Sequence, residues 1–516
     1  MHRCIYFILG TVFLISACSS GGGGGGGGAG GGVPGNNANL SALVLSAGAL
    51  DQVFQSNQTI YTAAVGFLAA ATTVTPTAED GNATVSVNAT VVESGAASDF
   101  ISLGEGANLV TIVVTAEDGI TTRTYSVTVT RQLAASFGQR AFLKASNANT
   151  NDLFGAAVAL SGDTLVVGAA GEGSSANGGE ADNSAPGAGA VYVFTRNNGV
   201  WTQQQPYLKA SNADPNDKFG SSLALSGDTL VVGAVGEGSS ANGGSGDNSA
   251  PAAGAAYVFV RNNNGVWLQQ PYLKAANANA NDLFGNSVAL SDDVLAVGAV
   301  GESSSAGGGE ADNSAPNAGA VYVFVRNNNG VWVQQPYLKA SNADAGDQFG
   351  LVAISGDTLA VGAVGEGSSA AGGEGDNSAP GAGAVYVFVR TNNGVWVQQP
   401  YLKASNANAG DLFGLVTLSG DTLVIGAVDE SSSAVGGEAD NSAPGAGAAY
   451  VFIRTNNLWM QQFYLKASNA NENDQFGWVG LSGDTLITGA FGEGSSSTGG
   501  EGDNSAPDAG AGYVFQ

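Results

Sequence analysis

Histidine and cysteine are almost missing from this chain. The single histidine is His2, and the two cysteines are Cys4 and Cys18. If the first 17 residues are removed on export, no imidazole remains and one thiol sits at the new N-terminus. That excludes Ser-His-Asp and Cys-His nucleophile systems, histidine-ligated zinc and histidine acid–base chemistry together. No disulfide can form within such a chain. Positive charge is scarce as well, with 16 Lys+Arg against 43 Asp+Glu and a net charge of −27. Nucleic acid needs a cationic surface that releases counterions, so no nucleic-acid partner is expected. Direct adsorption to anionic lipid is excluded on the same ground. Glycine is what the chain has in excess, 80 of 516 residues, and 43% hydrophobic residues is ample for real cores. The length allows two to four domains.

The N-terminus reads as a processing segment. Arg3 supplies a positive start, and Ile5 to Leu14 is an apolar run too short to span a bilayer. Leu14-Ile15-Ser16-Ala17-Cys18 resembles a bacterial lipobox, which implies a signal peptide over residues 1–17 and lipidation of Cys18. Residues 18–37 are a glycine-rich tether with an r.m.s. reach of roughly 25 Å. The expected location is the bacterial envelope, outer membrane or cell surface, with the lipid anchor as the one membrane contact.

Residues 38–131 change to short β-branched runs such as Leu109–Thr115 and Tyr125–Thr130, with Asp80-Gly81 and Asp118-Gly119 as hairpin signals. Some seven short strands suggest a small β-sandwich. LSALVLSAGAL, IYTAAV, GANLVTIVVTAEDG and TYSVTVTR resemble the bacterial cadherin-like β-sandwich domain. That resemblance implies a spacer or accessory module without catalytic residues. The Asn-x-Thr triplets at Asn57, Asn82 and Asn88 read as polar turn and strand residues.

Residues 137–516 are one repeat. Its lysines, Lys144, Lys209, Lys274, Lys339, Lys403 and Lys466, are 65, 65, 65, 64 and 63 residues apart. Each unit carries Asp-x-Phe-Gly, two apolar runs joined by a turn such as Ser161-Gly162-Asp163-Thr164, a long acidic loop, a run such as Ala190–Phe194, and a tryptophan segment. Four strands with turns between them describe a propeller blade. The tryptophan strand occurs five times, at Trp201, Trp267, Trp332, Trp396 and Trp459, while Gly138–Lys144 reads as a fourth strand with no preceding three. The expectation is an all-β chain: a sandwich followed by a six-bladed propeller that the N-terminal strand closes.

Phe-Gly opening the first strand, with Val-Gly-Ala after the second, resembles the FG-GAP repeat of integrin α-subunit heads and bacterial surface proteins. Calcium-binding members carry an Asp-x-Asp-x-Asp-Gly-type loop between the first two strands. Here that connection holds Asp163, Asp228, Asp293, Asp357, Asp421 or Asp484 alone. One carboxylate cannot supply the six to eight oxygens calcium takes, so the family's calcium site is not carried over.

The remaining chemistry lies in the acidic loops, Gly171 to Gly189 and its equivalents, with DNSAP in every copy. Glu180, Asp182, Asp247, Glu310, Asp312, Glu374, Asp376, Glu438, Asp440, Glu501 and Asp503 are the candidate metal or ligand residues, with calcium the one cofactor left open. The plainer reading is that Asp182-Asn183-Ser184 makes an Asx-type turn and Pro186 fixes the strand entry. A second cluster, Asn147, Asn149 and Asp152, recurs before each Phe-Gly as turn residues or a weak cation site. The repeat lysines and Arg196, Arg261, Arg326, Arg390 and Arg454 read as a cation rung along the blade edges, and the tryptophans as packing between blades. Catalysis is not expected, because an active site normally breaks symmetry and these charges are duplicated. The expected role is a monomeric binding or adhesion module for a protein or glycan at the cell surface. The alternatives are an assembly factor of the envelope and a carboxylate-based carbohydrate-active enzyme.

Overall fold

The computed structural model describes residues 34–516 apart from 67–68, 70, 133–140, 180, 205–206, 245, 310, 374, 435–436, 439, 483–484, 496–503, 507–508 and 516. Every regular element among the described residues is a strand, and no helix is long and apolar enough to cross a membrane. The chain divides into two compact units.

In the first unit, Leu40–Leu45 pairs antiparallel with Val74–Ala78. A five-stranded sheet runs in the order Ile60–Val65, Thr122–Arg131, Gly106–Thr115, Thr84–Val87, Thr90–Val92. The period-2 pattern places Val110, Ile112, Val114, Tyr125, Val127 and Val129 on buried faces. The Tyr125 hydroxyl accepts from Leu40 N (3.0 Å) and donates to Ser56 O (2.8 Å), so this buried side chain leaves no orphan polar atom. Asn88 sits at φ +48° and accepts from Thr111 N, the turn role its triplet suggested.

The second unit is a propeller of six blades. Phe154–Ser161, Thr164–Ala169, Ala190–Asn197 and Val200–Gln203 form the first blade as a sequential antiparallel sheet. Four more four-stranded sheets begin at Phe219, Phe284, Phe349 and Phe413. The sixth sheet has three strands, Phe476–Ser482, Thr485–Ala490 and Ala511–Phe515. Of the strand expected to complete it, residues 138–140 lie outside the described residues, and Phe142–Lys144 are not paired as a strand.

The second and third strands are buried on both faces because a blade lies on either side. This is why TLVVGA and AVYVF read as continuous apolar runs. One junction draws Val166, Val191 and Val193 from the first blade and Phe219, Leu230 and Tyr257 from the second. The Phe-Gly phenylalanine begins an aromatic ladder: Phe219 meets Tyr257 edge-on at 5.4 Å, and Tyr257 stacks on Tyr272 at 5.4 Å. The Val-Gly-Ala glycine sets the blade spacing, since a Cβ on Gly168 would lie 2.1 Å from the Gly220 carbonyl oxygen. Trp478, the tryptophan outside the fourth-strand series, stands on a first strand. With Leu351, Val352, Leu415, Val416 and Val479 it lines a cavity of about 270 Å³.

Candidate functional site

In an antiparallel four-stranded blade, the loop from second to third strand and the link into the next blade emerge at the same end. They are stitched together there: Asn216 N, Lys218 N and Phe219 N donate to the carbonyls of Pro186, Gly187 and Ala188 at 3.0, 2.9 and 3.0 Å. This end carries the acidic loops and both predicted clusters.

The DNSAP aspartates hold the loops in shape. Asp182 accepts from Ser175 N (2.8 Å), Ser175 Oγ (2.7 Å) and Ser184 N (3.0 Å), the last being an Asx turn. Asp247, Asp312, Asp376 and Asp440 repeat this with Ser240, Ser305, Ser369 and Ser433. These hydroxyl and amide donors hold all five carboxyls below the usual carboxylate range. Glu438 accepts from Ser405 Oγ at 2.6 Å and Gln461 Nε2 at 3.2 Å. Glu180, Glu310, Glu374, Glu501 and Asp503 lie outside the described residues, as does Cys18. No group of three or more His, Cys, Asp or Glu among the described residues could hold a metal ion.

The repeat lysines do not form a rung along the blade edges. Five of them turn inward onto the first glutamate of the acidic loop. Lys209 Nζ lies 2.9 Å from Glu172 Oε2, with both side chains buried, and donates to Gly189 O at 2.6 Å. Lys274–Glu237, Lys339–Glu302, Lys403–Glu366 and Lys466–Glu430 repeat the pair at 2.9 to 3.1 Å. Glu172 also accepts from Ser174 N, Ser174 Oγ and Asn147 Nδ2, so its lone pairs are satisfied without water. Burial pushes the Lys209 ammonium below its usual range against the pull of Glu172. Glu172 and Glu493 are fully buried, although both belong to the acidic loops. Only the 37-residue Glu-to-Lys spacing, kept in four of the five pairs and one shorter in the fifth, could have signalled this.

The Asn-x-Asn/Asp-x-x-Asp cluster is also a loop device. Asp217 is 3% exposed and accepts from Asp214 N at 2.8 Å. Burial, reinforced by Glu237, pushes its carboxyl up to about 7, and Asp282, Asp347 and Asp411 rise to about 6, 6 and 7. At the opposite end of the blade, Arg196 Nε meets Asp163 at 2.7 Å while its guanidinium lies 5.3 Å from the Trp201 ring. Asp163, Asp228, Asp293 and Asp421 all hold arginines in this way.

One feature breaks the symmetry. Lys218 (φ +60°) follows the buried aspartate where the other blades have Leu153, Leu283, Gln348, Leu412 and Gln475. Among the described residues no carboxylate pairs with it. It borders a cleft of about 680 Å³ between the first two blades, lined also by Asn149, Asn151, Asp152, Asn183 and Asn216.

The FG-GAP repeat matches residues 137–194, 201–259, 267–324, 332–388, 396–452 and 459–515. The chain belongs to the FG-GAP repeat family. The cadherin-like beta sandwich domain matches residues 40–132, so both resemblances hold. A protein of Evansella cellulosilytica described as a membrane protein is 41% identical over 75 residues, 14% of this chain and 11% of its own length. The chain therefore spans a small part of that relative. A crystal structure of a protein from Lactobacillus plantarum aligns over 73% of this chain and 84% of its own, at 12% identity and a TM-score of 0.39.

Proposed function

We propose that this FG-GAP chain is a non-catalytic binding module of the bacterial envelope, held by a lipid on Cys18 and presenting its propeller to a protein or glycan ligand. The observation that carries the reading is the loop end of the propeller. There the described DNSAP aspartates serve as loop staples and the first loop glutamates as buried ion pairs. Lys218 is a cation that no carboxylate pairs with among the described residues, in a cleft lined by Asn149, Asn151, Asp152, Asn183 and Asn216. Asparagine amides suit hydroxyl-rich ligands, and a lone ammonium beside them suits a carboxylate, so an acidic glycan fits this cleft best. The described membrane-protein relative and the bacterial surface setting of other FG-GAP proteins agree with an envelope location. A role in envelope assembly is the second reading, and the spacer-like sandwich ahead of the propeller is compatible with it.

The test is a glycan array and an envelope pull-down with the full chain and with Lys218→Ala. Binding of uronic-acid glycans that falls at least tenfold in the variant supports the proposal. Binding that is unchanged in the variant, or recovery of a stable envelope complex alone, overturns it.

A further inference from the structure

The six blades fall into two classes at their first strand. In the first three blades the Phe-Gly strand has eight residues, as in Phe219–Ser226, and in the last three it has seven, as in Phe349–Ser355. The extra residue falls just after Phe-Gly, where the register to the second strand breaks: between Phe284 and Val288 in the third blade, and between Phe349 and Leu351 in the fourth. What faces the penultimate glycine of the second strand changes with it. Ser222 pairs with Gly233 in the second blade, whereas Leu351, Leu415 and Trp478 pair with Gly362, Gly426 and Gly489 in the last three.

These strands adjoin from one blade to the next. Ser222 Oγ donates to Gly285 O at 2.7 Å, and Val352 N donates to Ser287 Oγ at 3.1 Å. The large side chains of the last three blades therefore gather side by side, and the cavity of about 270 Å³ lies among them. Its wall is five aliphatic side chains and the Trp478 ring, with no charged residue among them. Ser287, from the last of the eight-residue strands, is the one polar side chain in that lining. Its oxygen is taken by Val352 N, and its proton has no acceptor among the described residues, whereas that of Ser222 does. Trp478 is 54% exposed although it stands on a first strand, so its ring is open to a guest.

An apolar wall disfavours an ion, and a single hydroxyl donor leaves most groups of a polyhydroxylated sugar without partners. An apolar cavity of roughly 150 Å³ holds one benzene ring, so this one has room for about two fused rings. We infer that the first strands of blades three to six form a ligand site for a small neutral aromatic molecule of one or two rings that bears a hydrogen-bond acceptor. The rings lie against Trp478 and the leucines, and the acceptor receives the Ser287 proton. The site differs in place and chemistry from the Lys218 cleft, being built from strands rather than loops and taking no charge.

Quinoline has two fused rings, one acceptor nitrogen and no charge at neutral pH, and is the probe. Calorimetric titration of the full chain is expected to show one saturable site. Ser287→Ala is expected to weaken it about fivefold, the worth of one hydrogen bond, and Ser287→Thr to keep wild-type affinity within about twofold. Trp478→Leu is expected to weaken it at least tenfold. Absence of saturable quinoline binding overturns the proposal, as does binding that Ser287→Ala retains in full, or tighter binding of methyl glucoside than of quinoline. If Trp478→Leu does not fold, the Ser287→Ala and Ser287→Thr pair decides alone.

Discussion

At the scale of the residue a buried aspartate and a buried lysine–glutamate pair dominate, and they respond to different perturbations. Asp217 holds its proton up to about pH 7 in the folded chain and to about 4 when unfolded. Its folded pKa is raised, so its contribution to stability is present below about pH 4 and is lost as the pH climbs toward 7. Asp217→Asn keeps an acceptor for Asp214 N and cannot ionise. It is expected to raise Tm at pH 8 by about 2–4 °C, by less at pH 5, and to leave Tm at pH 3 unchanged, as measured by calorimetry. The Lys274–Glu237 pair responds to truncation instead. Lys274→Met strands a buried carboxylate and is expected to cost about 3–5 kcal/mol in denaturant unfolding. Adding Glu237→Gln should recover most of that loss, and a double variant no better than the single would show that the lysine stem, not its charge, carries the stability. The sequence hides this pair because Glu172 and its equivalents stand among glycines and serines, a composition that reads as exposed loop. Their lysines follow a tyrosine and leucine in what looks like a half-buried strand.

At the scale of the element, the strands were legible because local chemistry specified them. Ser-Gly-Asp-Thr and Asn-Asn-Gly mark the turns, and two-sided burial leaves near-continuous apolar runs inside the observed strands Thr164–Ala169 and Ala190–Asn197. The bland reading of DNSAP also held, since Asp182 closes an Asx turn onto Ser184. What could not be read was which atoms the loop carboxylates meet, because their serine partners lie seven residues upstream across a glycine-rich bend. With those oxygens already accepting hydroxyl and amide protons, and the strand-turn aspartates holding arginines, calcium has few free ligands to take among the described residues. Millimolar calcium is therefore expected to leave Tm within 1 °C by the order-of-magnitude linkage relation. A rise of several degrees would restore the loops as a cation site.

At the scale of the whole molecule, the division into a sandwich and a six-fold repeat was visible from the change in periodicity and from the spacing of the lysines. The glycine tether and the Cys18 motif add an expectation about place. Cys18→Ser is expected to move the protein from the membrane to the soluble fraction, and unchanged fractionation would refute lipidation. The count of tryptophan strands also led to the expectation that Gly138–Lys144 completes the last sheet; of that strand residues 138–140 lie outside the described residues, and Phe142–Lys144 are not paired as a strand.

The glycine that sets the blade spacing has a further effect. Because Gly168, Gly233, Gly298, Gly362 and Gly426 each touch a neighbouring backbone with no side chain between, adjacent sheets have no slack to absorb a change of size. A single methyl at Gly298 would press on the next sheet, and the strain would pass along the row rather than stay local. The arc therefore resists gradual alteration, and lineages that change its girth would be expected to add or lose entire blades.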